Sequence, residues 1–88
     1  MTEPVNYAVF LFPQALEALG DPIKPYFRDA PGGAHIVCAE IDANGPLFGM
    51  TLVGKGPRGE LLELEIMVPT SMIRLVMSMY REHEIGFV

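Results

Sequence analysis

His35 and Cys38 are the two side chains whose types best suit catalysis, because an imidazole beside a thiol can generate a nucleophilic thiolate. Cys38 is the only cysteine of the chain. Successive side chains of a strand point to opposite faces, so positions 35 and 38, three residues apart, do not share a face. The sequence therefore predicts a buried, unreactive cysteine, a histidine near a strand end, and no catalytic residues.

Metal and cofactor sites are equally poorly supported. One cysteine and two histidines cannot supply the ligands of an ordinary structural zinc site within one chain. A single cysteine also excludes an internal disulfide. We therefore expect no metal site and no cofactor.

Four carboxylates fall on one predicted strand face: Glu40, Asp42, Glu63 and Glu65. Paired carboxylates perform acid–base chemistry when their surroundings separate their pKa values. Glu40 and Glu65 are predicted to flank Gly49 on the strand between them, with backbones about 10 Å apart. Because so short a chain shows no pocket wall, the pattern favours a solvated acidic face. A site for a divalent ion or a cationic partner is the alternative.

The glycine-rich segment 49–56 nearly spells a phosphate-binding loop, but Gly56 replaces the final hydroxyl residue. Its interior also has the pattern of a strand followed by another strand, which is the wrong context. The following turn, residues 54–59, holds three glycines with Lys55 and Arg58. Two interpretations stay open for it: a charged hairpin turn, or a loop that binds an anion or an acidic partner.

Residues 21–33 form the least regular segment, since Pro22, Pro25 and Pro31 forbid a regular helix. A loop of this length often has a function. The polar groups near it give a candidate ligand or enzyme site, with Arg28 holding an anion and His35 acting as a base. Its four members are Tyr26, Arg28, Asp29 and His35.

The elements that must position these residues begin with a strand over residues 5–12. Both of its faces are apolar, which is typical of a central strand. Pro13 can open a short helix and Gly20 can close it. The position of this strand in the sheet is left open by the sequence.

Residues 34–68 predict a three-stranded antiparallel meander, with strands over 34–42, 47–53 and 60–68. Asn44-Gly45 marks the first turn, because such a pair suits a tight hairpin. That turn sets Ile41 opposite Phe48, and the second turn sets Phe48 opposite Ile66. The predicted inner face is apolar and the outer face mixes apolar with acidic residues. The inner face comprises Val37, Ala39, Ile41, Phe48, Met50, Leu52, Leu62, Leu64 and Ile66.

The sequence predicts a final helix over residues 70–83 with Thr70 as its N-cap, and a short strand or tail over 84–88. This helix has a wider apolar arc than packing on one sheet face requires. Methionine-rich surfaces adapt to several partners. Two interpretations stay open: the methionines pack in the core, or Met72, Met77 and Tyr80 contribute to a self-association surface.

Composition narrows the functional classes. The chain of 88 residues carries 11 acidic and 6 basic residues, a net charge of −5. Nucleic-acid binding is disfavoured because the basic residues form no stripe. No apolar run approaches the length of a membrane span. Without a basic leader at its start, the chain is predicted to be cytoplasmic.

These patterns together predict a single α+β domain over residues 1–88, in the order β-α-β-β-β-α, whose antiparallel sheet carries helices on one face. The leading functional hypothesis is a small non-enzymatic interaction or regulatory module, a homodimer through the last helix or the outer sheet face. Its partner-binding residues would be Met72, Met77, Tyr80, Glu40, Glu63 and Glu65. The alternatives are a ligand binder or enzyme with a site under residues 21–33, and an acidic inhibitor that blocks a basic partner.

Overall fold

The first strand, β1 (Asn6–Leu11), lies inside a four-stranded antiparallel sheet, which we call sheet A. The structure is a computed structural model and describes residues 5–80. β1 pairs with β3 (His35–Cys38) on one side and with β7 (Ile73–Met79) on the other. The short β2 (Phe27–Arg28) pairs with β3 at the far edge. β1 is therefore a central strand of sheet A, a position that the sequence left open.

A helix, α1 (Pro13–Leu19), follows β1 as predicted, with Pro13 in its first turn. Gly20 ends it with a φ of 77°, a conformation that glycine adopts without steric cost. A 3₁₀ segment, Asp21–Tyr26, leads on to β2. Ala15 of the helix and Ile23 of the 3₁₀ segment are buried, which pins both segments onto the core.

A second antiparallel sheet, sheet B, contains β4 (Glu40–Asp42), β5 (Leu47–Lys55) and β6 (Leu61–Pro69), in that order. Its inner face packs against the inner face of sheet A. Apolar area removed from water between the two sheets is the main stabilising contribution to this fold. The buried cluster comprises Val9, Leu11, Ala15, Ile23, Ile36, Cys38, Phe48, Met50 and Val68.

Ala39 divides the predicted second strand between the two sheets. Its N–H donates to the Thr51 carbonyl over 2.8 Å, although Thr51 is already the partner of Glu40. Two residues opposite one form a β-bulge, which bends the strand and reverses its alternation. Ile36 and Cys38 in sheet A and Ile41 in sheet B therefore all face the core between the two sheets. The prediction that Val37 and Ala39 share the inner face with Ile41 is wrong for this reason.

From Glu40 onward the side chains of the meander lie on the predicted faces, but the cross-strand register is displaced by two residues. Ile41 lies opposite Met50 rather than Phe48, and Met50 lies opposite Ile66. A two-residue turn at Asn44-Gly45 would pair Ala43 with Pro46, which has no N–H to donate. Instead the Asp42 carboxylate accepts the Asn44 N–H over 3.0 Å and the loop is longer. A displacement of two keeps the side chains after the bulge, from Glu40 onward, on their predicted faces.

The β5–β6 turn is a three-residue loop, residues 57–59. The Gly59 N–H donates to the Gly56 carbonyl over 3.0 Å, and the Gly56 N–H donates to the Glu60 carbonyl over 2.8 Å. Gly59 has a φ of 80°, as the residue after a type I turn in such a hairpin requires. The near phosphate-binding motif thus lies in β5 and this turn.

The predicted final helix is wrong: Thr70–Met72 is a single 3₁₀ turn, and residues 73–79 form β7. The Thr70 N–H donates to the Pro46 carbonyl over 2.9 Å, so this residue extends the β5–β6 ladder and does not cap a helix. A central β1 needs hydrogen-bonding neighbours on both sides, and β7 supplies the second one. Residues 81–88, which include the predicted helix end and the 84–88 strand, lie outside the described residues.

Antiparallel sheets with short helices confirm the α+β class in its general form. The more specific expectation of one sheet with helices on one face is wrong, because two sheets enclose the core. Within residues 5–80, no helix combines the length and apolar character needed to cross a membrane.

Candidate functional site

The outer face of sheet B brings the four predicted carboxylates together, and we call it the acidic face. Cross-strand pairing sets Glu40, Thr51 and Glu65 in one row, so the two glutamates flank Thr51 and not Gly49. At the usual strand spacing their backbones are about 10 Å apart. Asp42 lies in the neighbouring row beside Gly49, and Glu63 lies opposite Val53.

Large apolar side chains stand among these carboxylates. They are unusually exposed for their size, with Leu47 at 47%, Val53 at 51%, Leu61 at 73% and Met67 at 58%. Alternation along β5 and β6 puts all four on the same face as Glu63 and Glu65. Nothing among residues 5–80 covers them, so within that range the acidic face is a mixed apolar and anionic surface.

No ion pair within residues 5–80 neutralises the charge of this face. Among the described residues the ion pair found joins Lys24 to Asp21 in the 3₁₀ segment, with 2.8 Å between Nζ and Oδ1. Lys55 is the single base at the acidic face and lies at the distal end of β5, opposite Leu61. Several like charges on one surface create a field that attracts cationic partners and repels anionic ones.

One border of the acidic face is the edge of β6 that has no strand partner in the described part of the chain. Hydrogen bonds at the two ends of the hairpin, Gly56 with Glu60 and Thr70 with Pro46, both involve even-numbered positions. Hydrogen-bonded pairs alternate along an antiparallel ladder whose register is unbroken here. The even residues of β6 therefore bond β5, and the N–H and C=O groups of Leu61, Glu63, Glu65 and Met67 point outward.

The predicted anion-binding loop is occupied by its own carboxylate. Beyond the Gly56 and Gly59 bonds, the Arg58 N–H donates to Glu60 Oε1 over 2.9 Å. A bound anion would accept hydrogen bonds from these amides, but Glu60 already accepts hydrogen bonds from the loop. Lys55 and Arg58 are exposed side chains at the tip of the hairpin.

The residues of the alternative ligand site do not all converge. Arg28 and His35 are cross-strand partners in sheet A. Tyr26 instead lines two open concavities of about 340 and 490 Å³ against β6 and the distal hairpin. Neither concavity is lined by Arg28, Asp29 or His35.

Phe10 lies against His35, and Arg74 lies against Phe10; the sequence predicted a site role for neither. The Phe10 and His35 ring centroids are 4.9 Å apart. The Arg74 guanidinium lies 5.4 Å from the Phe10 centroid and donates to the Gly32 carbonyl over 2.8 Å. Arg74 could have been singled out because it is the one charged residue of the apolar segment 73–79. These contacts fasten the loop before β3 onto the outer face of sheet A.

The three residues predicted for self-association have separate positions. Met72 lies in the 3₁₀ turn and packs against the core, so it is not a free surface residue. Met77 lies in β7 and is 45% exposed. Tyr80 is half-buried just after β7. Of the three, Met77 is the one that offers an open apolar surface.

Cys38 is buried in the core, with 2% of its surface exposed, and burial raises its pKa to about 11. A neutral, inaccessible thiol is a poor nucleophile. His35 stacks on Phe10 at the opposite face of the sheet, and its Nδ1 lies 3.2 Å from the Gly33 carbonyl oxygen. The predicted separation of this pair is confirmed.

Within residues 5–80, histidine, cysteine and carboxylate side chains form no group of three that could hold a metal ion. No protein-family model, no curated protein and no solved structure matches this chain.

Proposed function

We propose that this protein is a non-enzymatic interaction module that binds a basic and partly apolar surface of another protein through its acidic face. The observation that carries this proposal is the row of Glu40, Thr51 and Glu65 beside the exposed Val53 and Met67. Inhibition of a basic partner is one outcome of such binding. A cytoplasmic location stays a prediction.

The acidic face supports a partner of mixed chemistry for two reasons. Exposed carboxylates without internal ion pairs attract cations and set the orientation of a partner. The apolar side chains between them lose water-accessible area on contact, which supplies affinity that charge alone lacks at physiological salt. A partner with lysine or arginine around aliphatic side chains matches both features.

The proposal is tested by calorimetric titration with a synthetic peptide that alternates lysine and valine. Neutralising two carboxylates, Glu40→Gln with Glu65→Gln, is expected to raise Kd about fivefold, since exposed charge pairs contribute modestly. Replacing Val53→Ser with Met67→Ser is expected to weaken binding further, and this loss should persist at high salt.

Matched controls separate a local site from net charge. Glu17→Gln with Asp29→Asn removes the same two charges at exposed positions on α1 and the loop after β2. Binding should be nearly unchanged in that control. If the control weakens binding as much as the acidic-face variant, attraction is only nonspecific and the proposal is wrong.

A further inference from the structure

The four edge strands of the two sheets differ in how they are protected against pairing with another strand. β2 has two residues, and β4 has three with Glu40 and Asp42 at its ends. Short length and charge are both devices that prevent edge pairing. β6 is long but carries Glu63, Glu65 and Pro69. β7, seven residues long, carries no carboxylate and no proline.

The second edge of β7 has no strand partner among residues 5–80, and the single charge of β7 is directed away from it. Arg74 stands at a bulge, where pairing with β1 shifts between Phe10 and Leu11. Its guanidinium reaches back over the Phe10 ring to the Gly32 carbonyl. Residues 75–79 therefore form a regular, uncharged edge. Leu75 and Met77 on it are 42% and 45% exposed.

Self-pairing distinguishes the two long edges. Two copies of a strand overlap most fully when a two-fold axis passes through its middle residue. For β6 that residue is Glu65, so a carboxylate would face its own copy, which is destabilising. For β7 it is Val76, and Leu75 then lies opposite Met77 of the second copy. Arg74 lies opposite Ser78, so no like charges meet.

We propose that a second copy of this chain pairs antiparallel with β7 about a two-fold axis at Val76. The two four-stranded sheets then join into one of eight strands. Self-complementary contact of one edge gives a closed dimer, so β7 is no longer free to recruit further copies. This dimer is independent of the acidic face, which remains open on each copy.

Analytical ultracentrifugation of the full chain at micromolar concentration tests the dimer together with two matched variants. Leu75→Lys with Met77→Lys places lysine opposite lysine twice across the axis and should give a monomer. Leu75→Lys with Met77→Glu removes the same apolar side chains but places opposite charges across the axis. That variant should keep the dimer, with a dissociation constant at least tenfold lower than that of the first.

The following results would overturn the proposed β7 dimer. A monomeric wild-type chain, or a doubly lysine-substituted chain that dimerises as well as wild type, excludes pairing through β7 in this register. A full chain that is monomeric while a chain ending at Tyr80 dimerises would assign the edge to residues 81–88. Circular dichroism of both variants checks that they fold. Loss of the dimer with intact peptide binding would leave the proposed function standing.

Discussion

At the scale of single residues, Gly56 and Glu60 show how a loop with three glycines becomes a closed turn. The Glu60 carboxylate folds over the loop and accepts from the Arg58 amide. A Cβ on Gly56 would stand 2.5 Å from Glu60 Cδ, which is too close for both to stay in place. The sequence indicated a glycine-rich, charged turn here, but it did not show that the Glu60 carboxylate accepts a hydrogen bond from the loop.

Gly56→Ala is therefore expected to lower the free energy of unfolding by about 1 kcal/mol, because Glu60 must move and its hydrogen bond is lost. Gly54→Ala is the matched control, since a Cβ there meets no atom within 4 Å. Urea denaturation should show the control near wild type. Equal losses in the two variants would contradict the role of Glu60.

Cys38 gives a second residue-scale prediction, which concerns pH. Its pKa of about 11 in the folded chain exceeds the ordinary value of 9.0 that applies when the chain is unfolded. The folded state thus holds the proton more tightly, and the free energy of unfolding should fall as the pH rises from about 9 toward 11.

Iodoacetamide should alkylate the native thiol far more slowly than the urea-unfolded thiol. Equal alkylation rates at about pH 8 to 9, just below the ordinary thiol pKa, would contradict the burial of Cys38.

At the scale of elements, β5 and β6 were predictable because alternation, turn glycines and acidic outer positions all agreed. Their register differs from the prediction by two because the turn between them is the three-residue loop 57–59. The β4–β5 register is displaced equally, because Pro46 cannot donate a ladder hydrogen bond. The bulge at Ala39 was not predictable, since no glycine or proline marks it. Residues 73–79 are apolar at nearly every position, so periodicity did not distinguish a helix from the strand that β1 requires.

The two faces of sheet B give a matched stability prediction. Met50 is fully buried on the inner face, and Met67 is 58% exposed on the acidic face one strand away. Met50→Ala should cost about 2–5 kcal/mol by leaving a cavity. Met67→Ala should change stability by less than about 0.5 kcal/mol. Chemical denaturation measures both, and similar losses would contradict the assignment of the faces.

At the scale of the whole molecule, one surface carries the charge and another carries the uncharged edge. The four carboxylates of the acidic face lie on sheet B, whereas β7 is an edge of sheet A. Pairing through β7 would leave both acidic faces of a dimer open. A partner with two basic sites would then bind with an avidity set by the distance between those faces.

The central claim is that the acidic face, rather than net charge, binds a basic partner. Amide chemical-shift mapping by NMR during titration with the lysine–valine peptide tests it most directly. We expect shifts concentrated at Glu40, Thr51, Val53, Glu65 and Met67, with little change at Glu17 and Asp29. Shifts spread over every exposed carboxylate, or centred on Arg28 and His35, would contradict it.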